Sequence, residues 1–177
     1  MNKQRLEKVK NVVRNIPDFP VPGIQFKDLT TAFKDPESLA VMADALADLY
    51  RDKGVTRVVG IEARGFIGGA ILATKLGAGF VPLRKPGKLP AAVIQKSYTK
   101  EYGTDTIEIH KDAITPDDVV VIHDDLLATG GTMLAAYDLV KSMHPKKIYI
   151  NFICDLADLN GRYVFPPEVE ITSLFTF

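Results

Sequence analysis

The chain has 177 residues, enough for one domain with a substantial core, and its 46% apolar and 25% charged residues are ordinary for a soluble globular protein. Its 22 Lys and Arg equal its 22 Asp and Glu, so no overall basic field recommends a nucleic-acid partner. No apolar run approaches the roughly 18 residues of a membrane span. Residues 1–14 lack the apolar core of a signal peptide, and the lone cysteine, Cys154, excludes an intrachain disulfide and suits a reducing cytoplasm.

In chain order, Leu6, Val9, Val12 and Val13 predict one face of a helix over residues 2–15. Residues 16–23 hold three prolines and a glycine and are expected to be irregular. Such a rigid apolar segment either clasps the core or presents residues 24–28 as one wall of a pocket. Asp35-Pro36 is a helix start, with Asp as N-cap and Pro in the first turn. Leu39, Met42, Ala43, Leu46, Leu49 and Tyr50 supply its apolar face, and Gly54 ends it. Residues 55–61 form the first clear core strand, leading through Glu62-Ala63-Arg64-Gly65 into a small-residue helix over 66–76. Gly77 and Gly79 close that helix, and residues 80–83 make a short strand.

Residues 84–90 are basic and rich in turn formers. Residues 92–97 and 106–110 pair as a ribbon around a polar, aromatic excursion, for which a lid and an ordinary hairpin both fit. From Val119 an apolar run ends in Asp124-Asp125, followed by a small glycine-containing turn and a helical pattern from Met133. Further strands are expected at 147–153 and 169–175. Alternating strands and helices predict an α/β fold, a mostly parallel, Rossmann-like sheet flanked by helices. Ligands then belong at the carboxyl ends of the strands, where the Glu62 and Asp124 loops should converge.

The Asp124 loop carries the strongest signal. A glycine-containing turn entering a helix offers unpaired N–H groups and the positive end of a dipole, hence an anion site. Two carboxylates beside an anion suit a phosphorylated sugar, whose hydroxyls meet the carboxylates while its phosphate meets the N–H groups. No lysine follows Gly131, as a Walker-type loop requires, and no dinucleotide fingerprint follows either strand. His123 reads as a packed or hydrogen-bonded strand-end residue rather than a metal ligand, and Cys154 as a buried structural thiol.

The stretch 119–132 (VVVIHDDLLATGGT) resembles the phosphoribosyl-pyrophosphate (PRPP) motif of the type I phosphoribosyltransferases, in the form borne by the adenine-specific branch. Segments agreeing in order and spacing are 17–20 with 22–23, 26–28, 64–66, 84–90, 97–98 with 101–103, and 160–162, so the similarity covers essentially the whole chain. The resemblance implies a single domain over 1–177: an N-terminal helix and base-binding hood region over 1–35, a core over 36–90 and 111–177, and a flexible β-ribbon lid over 91–110. It implies transfer of phosphoribose from PRPP to adenine, giving AMP and pyrophosphate, with Mg²⁺ carried by the substrate, no protein-held metal, and a homodimer.

Residue by residue, the resemblance assigns Asp124 and Asp125 to the ribose hydroxyls. It assigns Ala128, Thr129, Gly130, Gly131 and Thr132 to the 5′-phosphate. Glu62, Ala63, Arg64 and Gly65, with Arg84 and Lys88, fall to pyrophosphate. Phe26 would stack on the base, backbone atoms of Gln25 and Lys27 would read its edge, and Leu156 would cover its other face. Glu101 in the lid would exchange a proton with purine N7. Ala63 stands where the family often has Ser, and Asp155 where it usually has Glu. Arg64 paired only with Glu62 is the plain structural alternative. Rival readings are a transferase for another nucleobase, and a regulatory domain that senses nucleotides while binding nucleic acid.

Overall fold

The computed structural model describes residues 3–19, 21–23, 25–100 and 103–177. Helix α1 (Lys3–Val12) buries Leu6 and Val9, while Val12 faces outward. The helix stops short of the expected residue 15, and a strand takes over the end of that segment and the start of the one expected to be irregular: β1 (Arg14–Pro17) pairs antiparallel with β2 (Gln25–Asp28), Ile16 opposite Phe26. Pro17 is tolerated because it is the last residue of an edge strand in a two-stranded ribbon. The turn itself is confined to the following residues, where Asp18, at φ +56°, accepts the Gly23 N–H at 2.8 Å.

After the short helix α2 (Thr30–Phe33), α3 (Pro36–Asp48) starts as expected: the Asp35 carboxylate accepts the Ser38 N–H at 2.8 Å. Then β3 (Arg57–Ile61), α4 (Gly65–Leu76) and β4 (Gly79–Leu83) follow, α4 closing on Gly77 in the left-handed region. The ribbon is β5 (Val93–Lys100) with β6 (Gly103–His110), and β7 (Val119–Leu127) leads to α5 (Gly131–Lys141). Next come β8 (Lys147–Asp155), two single 3₁₀ turns at Ala157–Leu159 and Gly161–Val164, and β9 (Ile171–Thr176).

Five strands form one parallel sheet in the order β4-β3-β7-β8-β9. Alternation along its central strands feeds two cores. Val58, Val121 and Ile153 pack with α1, α3 and α4, whereas Val59, Val120, Ile122 and Ile150 pack with α5. The ribbon departs from expectation at its base, because Ile107 and Ile109 are buried in the α5-side core and Arg84 and Glu108 exchange backbone bonds of 3.0 and 2.7 Å. Its strands also run further toward the tip than their composition suggests, since pairing extends to Lys100 opposite Gly103.

Candidate functional site

Because β3 and β7 are adjacent and parallel, their carboxyl ends deliver both charged stretches to one edge of the sheet. Asp124 and Asp125 belong to the end of β7 itself rather than to the loop after it. The Asp125 N–H donates to Asp124 Oδ1 at 2.8 Å, and Asp125 is only 3% exposed. Burial, and next the charge of Asp125, hold the Asp124 carboxyl well above the usual range. Asp125 is raised too, chiefly by burial, with Arg64 opposing the shift.

The Arg64 Nε lies 2.8 Å from Asp125 Oδ2. The two loops therefore converge, and the arginine neutralises the buried carboxylate rather than pairing with Glu62. Glu62 instead faces Arg84 at 3.1 Å and accepts the Lys85 N–H at 2.9 Å. Those contacts, the Lys85 N–H foremost, hold its carboxyl below the ordinary value despite burial. Glu62 thus contributes to the loop as the partner of a cation. Ala63 joins Glu62 through a cis peptide bond, and Gly65 starts α4.

Neither α4 nor α5 has a side-chain cap at its N-terminus, in contrast to α3. At α5 the N-cap is Gly130 at φ +85°, a conformation that L side chains rarely adopt. A cavity of about 110 Å³ runs along 126–133 with Asp124 and Phe152 at its wall. A neighbouring one of about 250 Å³ reaches Glu62, Arg84 and Lys85 on one side and the ribbon's Tyr98, Asp105 and Thr106 on the other. Asp124 and Thr132 line both, so carboxylates, hydroxyls, helix N–H groups and basic side chains share one cleft.

Phe26 meets Phe19 edge-on at 5.1 Å between ring centres, and the Arg64 guanidinium lies 5.2 Å above the Phe26 ring. A single arginine therefore links the Phe26 ring to the buried carboxylate pair at the end of β7. Around Phe26, the Asn15 amide donates to Gln25 Oε1 at 2.7 Å and Lys27 Nζ donates to Asn15 Oδ1 at 3.0 Å. Leu156 is buried, its N–H bonded to the Leu127 carbonyl at 3.0 Å, and Asp155 is an ion partner of Arg162. Lys88 is exposed at the ribbon base, its N–H donating to Glu108 Oε1 at 3.2 Å. Glu101, the expected proton-transfer residue, lies outside the described residues.

His123 is wholly buried behind Asp124. Its Nδ1 sits 2.6 Å from Asn151 Oδ1, while the Asn151 amide donates to Thr172 Oγ1, which is 2.6 Å from the Tyr50 hydroxyl. That chain makes Nδ1 the protonated nitrogen. Burial pushes the imidazole down to about 4, so it is neutral at physiological pH. Cys154 is buried, its thiol pushed up to about 12 by burial and the nearby Asp125 and Asp155.

Three features escaped the sequence reading. Tyr98, on the ribbon, places its hydroxyl 3.1 Å from Thr132 Oγ1. Buried Glu108 organises the 84–89 turn through the N–H groups of Lys88 and Leu89. Gly65 and Gly68 of α4 lie against β7: a Cβ on Gly68 would stand 2.3 Å from His123 Nε2. Only the spacing of Gly65, Gly68 and Gly69 on one helical face hinted at this.

A family profile described as "Phosphoribosyl transferase domain" matches residues 30–167. An adenine phosphoribosyltransferase of Bacteroides thetaiotaomicron is 61% identical over 176 residues, covering 99% of this chain and 98% of that protein. The crystal structure of the adenine phosphoribosyltransferase from Rhodothermus marinus superposes with a TM-score of 0.92 at 47% identity, over 99% of this chain and 100% of the other. The Giardia lamblia enzyme complexed with 9-deazaadenine gives a TM-score of 0.92 at 41% identity, with 97% of each chain covered.

Proposed function

The chain belongs to the adenine phosphoribosyltransferases of the phosphoribosyl transferase family, and from that premise we propose how its residues carry out the reaction. The enzyme converts adenine and PRPP to AMP and pyrophosphate, a purine-salvage transfer. A bond forms between the purine ring nitrogen and the anomeric carbon as the bond to the pyrophosphate oxygen breaks, with inversion. Charge develops on the departing pyrophosphate and on an oxocarbenium-like ribose, so the protein's task is orientation and electrostatic stabilisation.

In our reading the Ala128–Thr132 loop and the uncapped start of α5 receive the 5′-phosphate, with the hydroxyls of Thr129 and Thr132 beside them. Asp124 and Asp125 accept the ribose hydroxyls. Arg64 then exchanges its Asp125 contact for pyrophosphate, which frees both the carboxylate and the face of Phe26 for the substrates. Arg84, held by Glu62, and Lys88 flank the leaving group with the backbone of Ala63 and Gly65. Adenine stacks between Phe26 and Leu156, its edge read by the backbone of Gln25 and Lys27. Glu101 exchanges the proton at N7.

The observation that carries this reading is the convergence of Arg64, Asp125 and the glycine-capped start of α5 at one end of one sheet. Mg²⁺ would arrive with PRPP. Residues 1–177 act as one domain with 91–110 as the lid, whose closure excludes water from PRPP. A homodimer and a cytoplasmic setting complete the proposal. The buried free thiol is in keeping with that setting.

The test is incubation with Mg²⁺ and PRPP in the presence of each nucleobase in turn, with product read by chromatography. AMP from adenine, and little product from hypoxanthine or the pyrimidines, is the expected result. No AMP would overturn the reading.

A further inference from the structure

Behind the loop assigned to the 5′-phosphate lies a second turn that the reaction scheme does not use. A Cβ added to Gly130 would stand 2.6 Å from the Gly161 carbonyl oxygen, and one added to Gly161 would stand 2.1 Å from the Ala128 carbonyl oxygen. Backbone therefore packs on backbone with no side chain between them. Whatever sets the position of Gly161 also sets the position of the loop.

The Gly161 turn is a single 3₁₀ turn entered through Asn160 at φ +56°, with no strand pairing of its own. Arg162 ties it down. Its Nε donates to Asp155 Oδ2 at 2.5 Å, Nη1 to the Ile171 carbonyl at 2.9 Å, and Nη2 to Ser173 Oγ at 2.8 Å. A planar guanidinium spends three donors on the carboxyl end of β8 and the first half of β9, two paired strands of the sheet, and its carboxylate partner is only 3% exposed. The anchors lie on the sheet, the held object is the turn, and the turn abuts Ala128 to Gly130.

We propose that Arg162 is a positioning residue for the phosphate-binding loop. Without touching substrate, it clamps the Gly161 turn to β8 and β9 and so fixes the loop N–H groups where the 5′-phosphate is to sit. The inference rests on the reading of Ala128–Thr132 as the 5′-phosphate site. Its consequence is a selective one: loosening the clamp weakens recognition of the phosphate end and leaves the pyrophosphate end intact, because the latter is built on α4 and the 84–88 turn.

Calorimetric titration with ribose 5-phosphate and, separately, with pyrophosphate tests this on wild type, Arg162→Lys, Ser173→Ala and Thr132→Val. Lysine keeps the charge beside Asp155 but cannot span the Ile171 and Ser173 anchors. The expected result is ribose 5-phosphate binding weakened on the order of tenfold, pyrophosphate binding within about twofold of wild type, and KM for PRPP rising with little change in kcat. An arginine with a merely structural role would lower the thermal midpoint while leaving the folded protein's affinities alone, and that outcome overturns the proposal. If Arg162→Lys does not fold, Ser173→Ala decides: roughly threefold weaker ribose 5-phosphate binding supports the clamp and unchanged binding refutes it. Thr132→Val separates the two levels. If wild type binds no ribose 5-phosphate, or Thr132→Val leaves it unaltered, the phosphate-loop reading has failed. If Thr132→Val weakens binding and the clamp variants do not, Arg162 alone is misassigned.

Discussion

Replacing Gly68 by alanine sets a local preference against a tertiary contact. In an exposed helix interior the change adds stability, up to about 1 kcal/mol, because alanine is the better helix former. In this fold the new Cβ would stand 2.3 Å from His123 Nε2 and 3.0 Å from its Cε1, against an ordinary contact of 3.4 Å. About 1.1 Å must therefore open between α4 and β7 (3.4 minus 2.3). The imidazole has little room to yield, being wholly buried and held by Asn151 at 2.6 Å. Overpacking costs roughly 1–3 kcal/mol, and an overlap this deep against a held ring belongs in the upper part of that range, about 2–3 kcal/mol, so after the helix gain the net expectation is a loss of about 1–2 kcal/mol. For a chain of this size that lowers the thermal midpoint by roughly 2–8 °C. Moving α4 also carries Ala63, Arg64 and Gly65 away from Asp124 and Asp125, and a displacement near 1 Å can cost on the order of a hundredfold in kcat/KM for PRPP. Thermal unfolding by circular dichroism and steady-state kinetics read both effects. Adding His123→Ala should recover part of the loss, a favourable coupling in the double-mutant cycle. A Gly68→Ala midpoint equal to or above wild type would refute the contact argument and reduce Gly68 to a helix filler.

Glu101→Gln should lower turnover on the order of a hundredfold or more with substrate binding largely retained, and near-normal turnover would reject its proton-transfer role. Asp125→Asn removes both the partner of Arg64 and one acceptor for the diol, so KM for PRPP should rise roughly ten- to hundredfold, as for a charged hydrogen bond; unchanged kinetics would count against the assignment. Asp124 supplies a pH test. Its carboxyl is held well above 3.8 by burial and Asp125, so it costs stability once the pH exceeds its raised folded value and regains that stability as the pH falls toward 3.8. Asp124→Asn should accordingly raise the thermal midpoint more at about pH 8 than at about pH 4, and an equal gain at both would show that the carboxyl is not perturbed.

What the sequence determined by itself is what neighbours along the chain decide. Asp35-Pro36 caps α3 through an N–H three residues on, Gly77 closes α4, and the apolar runs at Val58 and Val119 are central strands of a parallel sheet. The same locality made the loop after Asp124-Asp125 legible, since a glycine N-cap and the helix it opens are contiguous in the chain. Adenine as the acceptor rested on family resemblance, because no spacing of residues states which base a site accepts. Tertiary structure decided the partners. Arg64 meets Asp125 rather than Glu62, Arg84 takes Glu62, and Arg162 finds Asp155, Ile171 and Ser173. Pro17 lies in a strand because β2 pairs with it from one side, and the base of the ribbon is core because α5 and the sheet close over Ile107 and Ile109. Charges choose among oppositely charged groups by distance, and glycines are required where two backbones meet. Both distances are set between segments far apart in the chain, by the way helices and strands pack.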